Sequence, residues 1–226
     1  FACFNKRLLT VFGNKPVVYV IKKRDIISDS AAREIERYFR EKGLVYELID
    51  GLSKKDSQKI RSKCEWVMRE KTERNKQKGI TKSLRFMVAG IPNTGKSTII
   101  NTLCGAKKAE TGNKAGVTRS NKWVRFGGFE LLDTPGTMPP NMSDQRYARH
   151  LAYIGSINDD ILNSEDIALQ LIGELKEIAP NEFAEKYKLD SLDKTPLELF
   201  DEICKKRGYL LRGGESDYER CSLAVI

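Results

Sequence analysis

The sequence predicts an α/β domain with a phosphate-binding loop, followed by a small all-helical domain. Apolar runs of strand length alternate with helical segments in the first part of the chain, which is typical of a parallel sheet covered on both faces. A glycine-rich stretch, Gly90–Thr98, fits the pattern G-x-x-x-x-G-K-[ST] and lies between such a run and a helix. After Pro139-Pro140 the pattern contains only helices. We therefore expect one domain over residues 1–142 and a second over residues 143–226.

The segment before the glycine-rich stretch has the spacing of a strand, a helix and a second strand. This spacing predicts a parallel, right-handed unit. The expected elements are a strand at Pro16–Ile21, a helix at Ala31–Lys42 capped by Asp29 or Ser30, a strand at Leu44–Ile49, and a basic helical segment from Lys54 to Arg85 with Ile60, Cys64 and Val67 facing inward.

The remaining elements follow from apolar periodicity and from start and stop signals. Gly127-Gly128 is typical of a two-residue hairpin turn, and Thr195 with Glu198 forms a capping-box pattern. The expected elements are a strand at Leu84–Ala89, a helix at Thr98–Cys104, hairpin strands at Trp123–Phe126 and Phe129–Leu132, and helices at Asp144–Ile157, from a Ser164 cap to Ala179, where Pro180 stops it, and from Thr195 to Gly208.

Charge divides the chain into parts of opposite sign. Residues 1–149 carry 31 Lys and Arg against 15 Asp and Glu, residues 150–226 carry 9 against 16, and the net charge is +9. A basic body of this kind indicates a polyanionic partner, most often RNA, although a solvated lysine-rich surface has the same composition.

Composition also bears on the compartment. The longest apolar runs are too short for a membrane span. The five cysteines include no Cys-x-x-Cys pair, which favours a reducing compartment over a structural zinc. Because the chain begins at Phe1, we expect an N-terminal piece to precede it. We expect a cytoplasmic monomer, or an organellar-matrix protein if a targeting segment has been lost.

The glycine-rich stretch carries the clearest chemistry. Gly90 and Gly95 let the backbone turn so that its N–H groups face a polyphosphate at the positive end of the following helix. Lys96 would reach the outer phosphates, and the Ser97 hydroxyl would bind Mg²⁺. The predicted nucleotide-binding residues of this stretch are Asn93, Thr94, Gly95, Lys96, Ser97 and Thr98.

A second motif, Asp133-Thr134-Pro135-Gly136, follows the hairpin. An Asp at a strand end can hold Mg²⁺ through water, and the Gly136 N–H can reach a terminal phosphate. Thr118 lies in a polar loop that could bring a second hydroxyl to the metal. We therefore expect Ser97, Thr118 and Asp133 at the metal, and Lys96, Gly136 and Thr118 in catalysis.

Guanine-reading residues are expected upstream rather than downstream of these motifs. The pattern Asn-Lys-x-Asp does not occur after Gly136, but Lys22-Lys23-Arg24-Asp25 directly follows the first strand. Asp25 could accept from the guanine ring N–H and amine while the Lys23 stem packs on the ring. This order, base-reading elements before phosphate elements, predicts a circularly permuted GTPase domain.

With these motifs the chain resembles the circularly permuted GTPases of the ribosome biogenesis GTPase A family, which has mitochondrial relatives. The resemblance covers nearly the whole chain and rests on Asn14-Lys15-Pro16, Gly90–Thr98, Gly116-Val117-Thr118, Leu131–Gly136, Lys206-Arg207-Gly208 and Gly213-Gly214. It implies a GTPase that acts on the large ribosomal subunit during assembly, with the helical domain contacting rRNA. Asn93 also matches the position that helps to hold K⁺ beside the phosphates in potassium-dependent relatives; the alternative is that it only orders the loop through local backbone hydrogen bonds.

Three features depart from that family. This chain has Lys22 where the family has a base-reading asparagine, and Arg24 where the family usually has alanine or valine. At the position of the family's second base loop, this chain has Leu48-Ile49-Asp50. The family also has an N-terminal segment with a catalytic histidine, whereas the only histidine here is His150, interpreted as structural or surface.

These observations together predict a slow, Mg²⁺-dependent GTPase that binds GTP and GDP and serves ribosome assembly. One alternative is a nucleotide-sensing scaffold that binds the ribosome without turnover. Another is an ATPase or small-molecule kinase, with the helical domain as a lid.

Overall fold

The computed structural model describes residues 10–50, 53–106, 109, 120–138, 144–157 and 163–226. The chain forms two compact units whose main spans are Cys3–Pro140 and Asn141–Ile226. The domain boundary expected between residues 142 and 143 stays a prediction.

The first unit begins with the predicted strand–helix–strand segment. Strand β1 (Tyr19–Ile21) pairs in parallel with β2 (Tyr46–Leu48), and both are shorter than the apolar runs that contain them. Helix α1 (Asp29–Glu41) lies between them. The expected cap at Asp29 or Ser30 was wrong, because the side chain of Ser28 accepts from the Ala31 N–H and starts the helix earlier.

The basic segment forms a long helix, α2 (Lys54–Gln77), started by a capping box between Ser53 and Asp56. The helix ends well before Arg85, the expected end of the basic helical segment; Arg85 lies in the next strand, inside the strand predicted at Leu84–Ala89. Its buried face contains Ile60 and Met68, whereas Cys64 and Val67 are only half-buried. The inward stripe therefore includes Ile60 as predicted, and Met68 is its other buried apolar residue.

A three-stranded sheet holds the glycine-rich stretch. Its strands are β3 (Leu84–Val88), β4 (Lys122–Phe126) and β5 (Phe129–Asp133), in the order β3-β5-β4. The β4–β5 hairpin is antiparallel, as predicted, and β3 pairs in parallel with β5.

The register of this sheet decides which groups meet at its carboxyl edge. Val88 pairs with Asp133, so the end of β5 lies beside the chain that leaves β3 for helix α3 (Lys96–Cys104). Helix α3 packs on one face of the sheet through Ile100, which contacts a buried cluster with Val124 and Leu131. Full burial of such aliphatic side chains is worth about 1.5–3 kcal/mol each, which anchors the helix to the sheet.

The second unit is helical, as predicted. Pro180, expected only to stop a helix, is the first residue of another one, because proline is well suited to that position. The helix predicted after Thr195 is confirmed, including its capping box and its end at Gly208. The helices are α4 (Gln145–Tyr153), α5 (Ser164–Ile178), α6 (Pro180–Tyr187), α7 (Pro196–Arg207) and α8 (Tyr218–Val225).

The core of this unit is centred on Leu199, Phe200 and Ile203 of α7, all buried against α5 and α8. His150 lies on α4 with its Nε2 3.3 Å from Glu174 Oε2, a position that agrees with its structural interpretation. Within the described ranges, the structure contains no helix with the length and hydropathy needed to span a bilayer.

Candidate nucleotide-binding site

The glycine-rich stretch folds into a tight loop between β3 and α3, as its pattern predicts. Asn93 and Gly95 have positive φ angles of 57° and 77°, and Gly95 is the residue that precedes helix α3. The loop closes on the buried carbonyl of Ile91, which accepts from Thr94 Oγ1 at 2.8 Å. The first turn of α3 therefore directs its backbone N–H groups toward the loop, an arrangement suited to an anion.

The Lys96 side chain folds back over the same loop. Its Nζ donates to the Ile91 carbonyl at 2.9 Å. Burial lowers the pKa of Lys96, and the nearby charge of Asp133 acts in the opposite direction. The ammonium group thus lies at the mouth of the loop, held by a carbonyl that a phosphate oxygen could replace.

Ser97 and Asp133 meet although they are far apart in sequence. Ser97 Oγ donates to Asp133 Oδ2 at 2.9 Å, and Asp133 is only 2% exposed. The other carboxylate oxygen, Oδ1, is buried and accepts no hydrogen bond from the described residues. A buried anionic oxygen without a donor is costly unless a cation is near it. The two side chains therefore fit Mg²⁺, which takes one or two protein oxygens together with phosphate oxygens and water.

The segment after β5 is attached to the loop at several points. Thr134 Oγ1 donates to the Val88 carbonyl at 2.7 Å, and the Thr137 N–H donates to the Gly90 carbonyl at 3.0 Å. Between them, Gly136 lies so close to Pro92 that an added Cβ would be 2.7 Å from its backbone N and Cα. Only glycine fits here. Thr134 and Thr137 had no distinctive sequence signal, because their partners are backbone carbonyls.

The predicted base-reading residues lie after β1, in a loop tied to the end of β2. Lys23 has a left-handed backbone with φ of 62°, and Asp25 lies in the short 3₁₀ turn that follows. The Arg24 N–H donates to the Ile49 carbonyl at 3.1 Å, and its guanidinium pairs with Asp29 at the start of α1. Arg24 is therefore directed to helix α1, while Lys23 and Asp25 are exposed.

Lys22 is the side chain that sequence reasoning did not place at the loop. Its ammonium lies directly against Gly95, in the space that a Cβ atom there would fill. The predicted site residues that also lie at this loop or against it are Asn93, Thr94, Gly95, Lys96, Ser97, Thr98, Asp133 and Gly136. Thr118 lies outside the described residues.

Three features of this site define a P-loop nucleotide-binding protein. They are a phosphate loop at the N-terminus of a helix, a Ser–Asp pair suited to Mg²⁺, and a glycine-containing segment that lies against the loop. Residues 85–202 match the family described as 50S ribosome-binding GTPase. The ribosome biogenesis GTPase A of Bacillus cereus is 35% identical over 98% of this chain and 76% of its own, and that of Priestia megaterium is 35% identical over 98% and 78%.

Among solved structures, the chain is similar to the GNP-bound YlqF of T. maritima, with a TM-score of 0.58 and 25% identity over 94% of this chain and 76% of that one. The chain belongs to the ribosome biogenesis GTPase A family. The predicted fold class, a circularly permuted P-loop GTPase domain followed by helices, is thereby confirmed.

Proposed function

We propose that this protein is a GTP-binding, GTP-hydrolysing factor that acts on the large ribosomal subunit during its assembly. The observation that carries the proposal is the buried Ser97–Asp133 pair with its unpartnered carboxylate oxygen, set beside Lys96 in a member of this family. Such an arrangement suits a metal-bound polyphosphate, because hydroxyl and carboxylate oxygens are ligands that Mg²⁺ prefers.

Mg²⁺ is the metal proposed for this site. Ser97 Oγ would bind it directly and Asp133 would bind it through water, with the Thr118 hydroxyl as a further ligand. When bound, the ion neutralises charge on the outer phosphate oxygens.

The chain's own groups would do the remaining work. Lys96 would exchange the Ile91 carbonyl for an outer phosphate oxygen, and the first-turn N–H groups of α3 would bind the phosphates. The Gly136 N–H would reach the terminal phosphate. In this proposal the donors are in position once the nucleotide is bound and before the reaction starts, which is the condition for strong transition-state stabilisation.

Turnover is proposed to be slow in the isolated protein. Thr137 follows Gly136, and its side chain is too short to orient a water molecule as glutamine can; its Oγ1 lies 3.4 Å from the Gly90 carbonyl. We propose that K⁺ held with the help of Asn93 supplies positive charge between the phosphates. GTP turnover should then be faster in K⁺ than in Na⁺, and Asn93→Ala should erase the difference while Mg²⁺–GTP binding persists.

Helix α2 is the surface proposed to contact rRNA. It carries nine Lys and Arg against four Asp and Glu, and Arg69 lies over the ring of Trp66, which is 53% exposed. An exposed, guanidinium-backed indole among lysines suits stacking on an unpaired base. Contacts to phosphates release counterions, so affinity should fall steeply with salt.

The deciding experiment measures GTP, GDP and ATP affinities and then GTP turnover with and without purified large ribosomal subunits. The proposal requires a preference for guanine nucleotides, salt-sensitive subunit binding and turnover stimulated by the subunits. Subunit binding without turnover would support the nucleotide-sensing scaffold instead. Equal affinities for GTP and ATP would show that Lys22 and Arg24 have removed guanine selectivity.

A further inference from the structure

Lys22 connects the end of β1 to the phosphate loop. Its Nζ lies so close to Gly95 that a Cβ there would clash with it, and its Cε and Cδ atoms lie 3.4 and 3.7 Å from where that Cβ would be. The contact depends on glycine, since any side chain at residue 95 would displace the ammonium. Among the described residues, Lys22 takes part in no hydrogen bond or ion pair.

The surroundings of this ammonium are electrostatically unfavourable without an anion. Gly95 precedes α3, so Lys22 lies at the positive end of the helix dipole, where cations are destabilised. Lys96 adds a second ammonium to the same loop. Burial, and then the charge of Lys23, lowers the pKa of Lys22. An anion bound at the loop would attract both ammonium groups and offset these unfavourable effects.

A second group at the N-terminal end of α3, the carboxylate of Asp133, also needs a ligand. Within the part of the chain that the structure describes, the buried Oδ1 of Asp133 has no hydrogen-bond donor, and its neighbour Ser97 belongs to the first turn of α3. The unpartnered carboxylate oxygen calls for a cation, and the unpartnered Lys22 calls for an anion. A metal-bound polyphosphate satisfies both.

We propose that Lys22 is a second phosphate-binding lysine of this site, which supplies an ammonium from the end of β1 to the polyphosphate that Lys96 binds from α3. The inference rests on the nucleotide-binding function proposed above. The family has asparagine at this position, and an amide carries no charge. In this chain, a residue of the base loop therefore contributes binding energy through the phosphates of the nucleotide rather than through its base.

The competing role for Lys22 is purely structural: it would only hold the base loop, which follows β1, against the phosphate loop. A structural contact of this kind would support binding of the base and of the phosphates alike, and an uncharged hydrogen-bonding side chain could replace Lys22 in it. A phosphate ligand acts only on nucleotides that carry phosphates, and it needs the charge. The two roles therefore differ in how affinity responds to removal of the phosphates.

The test uses Lys22→Met, which keeps the length and removes the charge, and Lys22→Asn, which restores the family's amide. Lys42→Met is the matched control, because Lys42 is an exposed lysine at the end of α1. Affinity for a fluorescent N-methylanthraniloyl-GDP is measured directly, and GTP and guanosine are measured by its displacement. Circular dichroism melting establishes that each variant is folded.

We expect Lys22→Met to weaken GTP and GDP binding by about tenfold or more, the usual effect of losing one charged hydrogen bond, and to leave guanosine affinity unchanged. Lys22→Asn should lose the same nucleotide affinity, and Lys42→Met should lose none. Wild-type nucleotide affinity in Lys22→Met, an equal loss for guanosine and GTP, or full rescue by asparagine would each overturn the inference. If Lys22→Met does not fold, the Lys22→Asn comparison decides alone.

Failure of the proposed function gives a different result. In that case the wild-type protein would not bind GTP, and Lys96→Ala would change nothing. Failure of this inference alone leaves wild-type binding and its dependence on Lys96 intact, and only the Lys22 variants behave as wild type.

Discussion

Gly136 gives the most quantitative test of how the segment after β5 meets the phosphate loop. In Gly136→Ala, the new Cβ would lie 2.5 Å from Cγ of Pro92 and 2.7 Å from its Cα and N. Ordinary contacts begin at 3.4 Å, so the two segments must separate by roughly 0.7 Å in a closely packed site. Two of the three obstructing atoms are backbone, so a change of rotamer cannot relieve the contact.

This displacement should be costly for stability and more so for catalysis. Overpacking of a well-packed site costs about 1–3 kcal/mol, and a shift of reacting groups on the order of 1 Å can lower a rate by about a hundredfold. We expect a lower thermal midpoint and GTP turnover reduced by about tenfold to a hundredfold. GDP affinity should change much less, since GDP lacks the phosphate that Gly136 is proposed to contact.

Calorimetric melting, single-turnover GTP hydrolysis and GDP titration provide the measurements. Gly173→Ala is the control, because a Cβ there would lie 3.6 Å from Pro196, an ordinary contact, inside helix α5. Alanine in a helix interior is favoured over glycine by about 0.5–1 kcal/mol, so this variant should be at least as stable as the wild type. If Gly136→Ala melts and turns over GTP as the wild type does, the proposed close packing is wrong.

Three further predictions concern other charged groups. Asp133→Asn should abolish the increase in GTP affinity that Mg²⁺ provides but leave affinity in EDTA nearly unchanged, as titration in the two buffers would show. Asp25→Asn should shift preference from guanine to xanthine nucleotides, because an amide can donate to the added carbonyl oxygen; unchanged selectivity would exclude Asp25 from the base site. Hydrogen bonds from Lys194 and Lys206 lower the pKa of Glu202 from 4.5 to about 2. Because the folded pKa is depressed, this stabilisation is complete above about pH 4.5 and is lost as the pH falls toward 2. Glu202→Gln should therefore flatten the pH dependence of urea unfolding in that range.

Local patterns were sufficient for much of this fold. The phosphate loop, the hairpin around Gly127-Gly128 and the capping box at Thr195 are each recognised by residues within a few positions of one another. In each case the favourable contact is itself local, a backbone hydrogen bond or a left-handed glycine. The order of motifs along the chain was likewise enough to predict a circularly permuted GTPase.

Element limits were harder to predict because they depend on contacts beyond the segment. Val18 belongs to an apolar run but lies before β1, whose first pairing is that of Tyr19 with Tyr46 on another strand. Pro180 was expected to end a helix, and it also begins one, since its fixed φ angle suits a first position as well as it prevents an interior one.

What the sequence by itself determined is the chemistry available to this protein: a phosphate loop with Lys96, an Asp at a strand end, and a basic helix. Only the tertiary structure decided which of these groups meet. The parallel register that pairs Val88 with Asp133 brings a carboxylate to Ser97, and it leaves one carboxylate oxygen without a donor. The absence of a side chain at Gly95 lets Lys22 reach the loop from another strand. The positions of charged residues along the sequence do not predict such pairs. The strength of an electrostatic interaction depends on the distance between the groups in space and on their burial, and packing sets both.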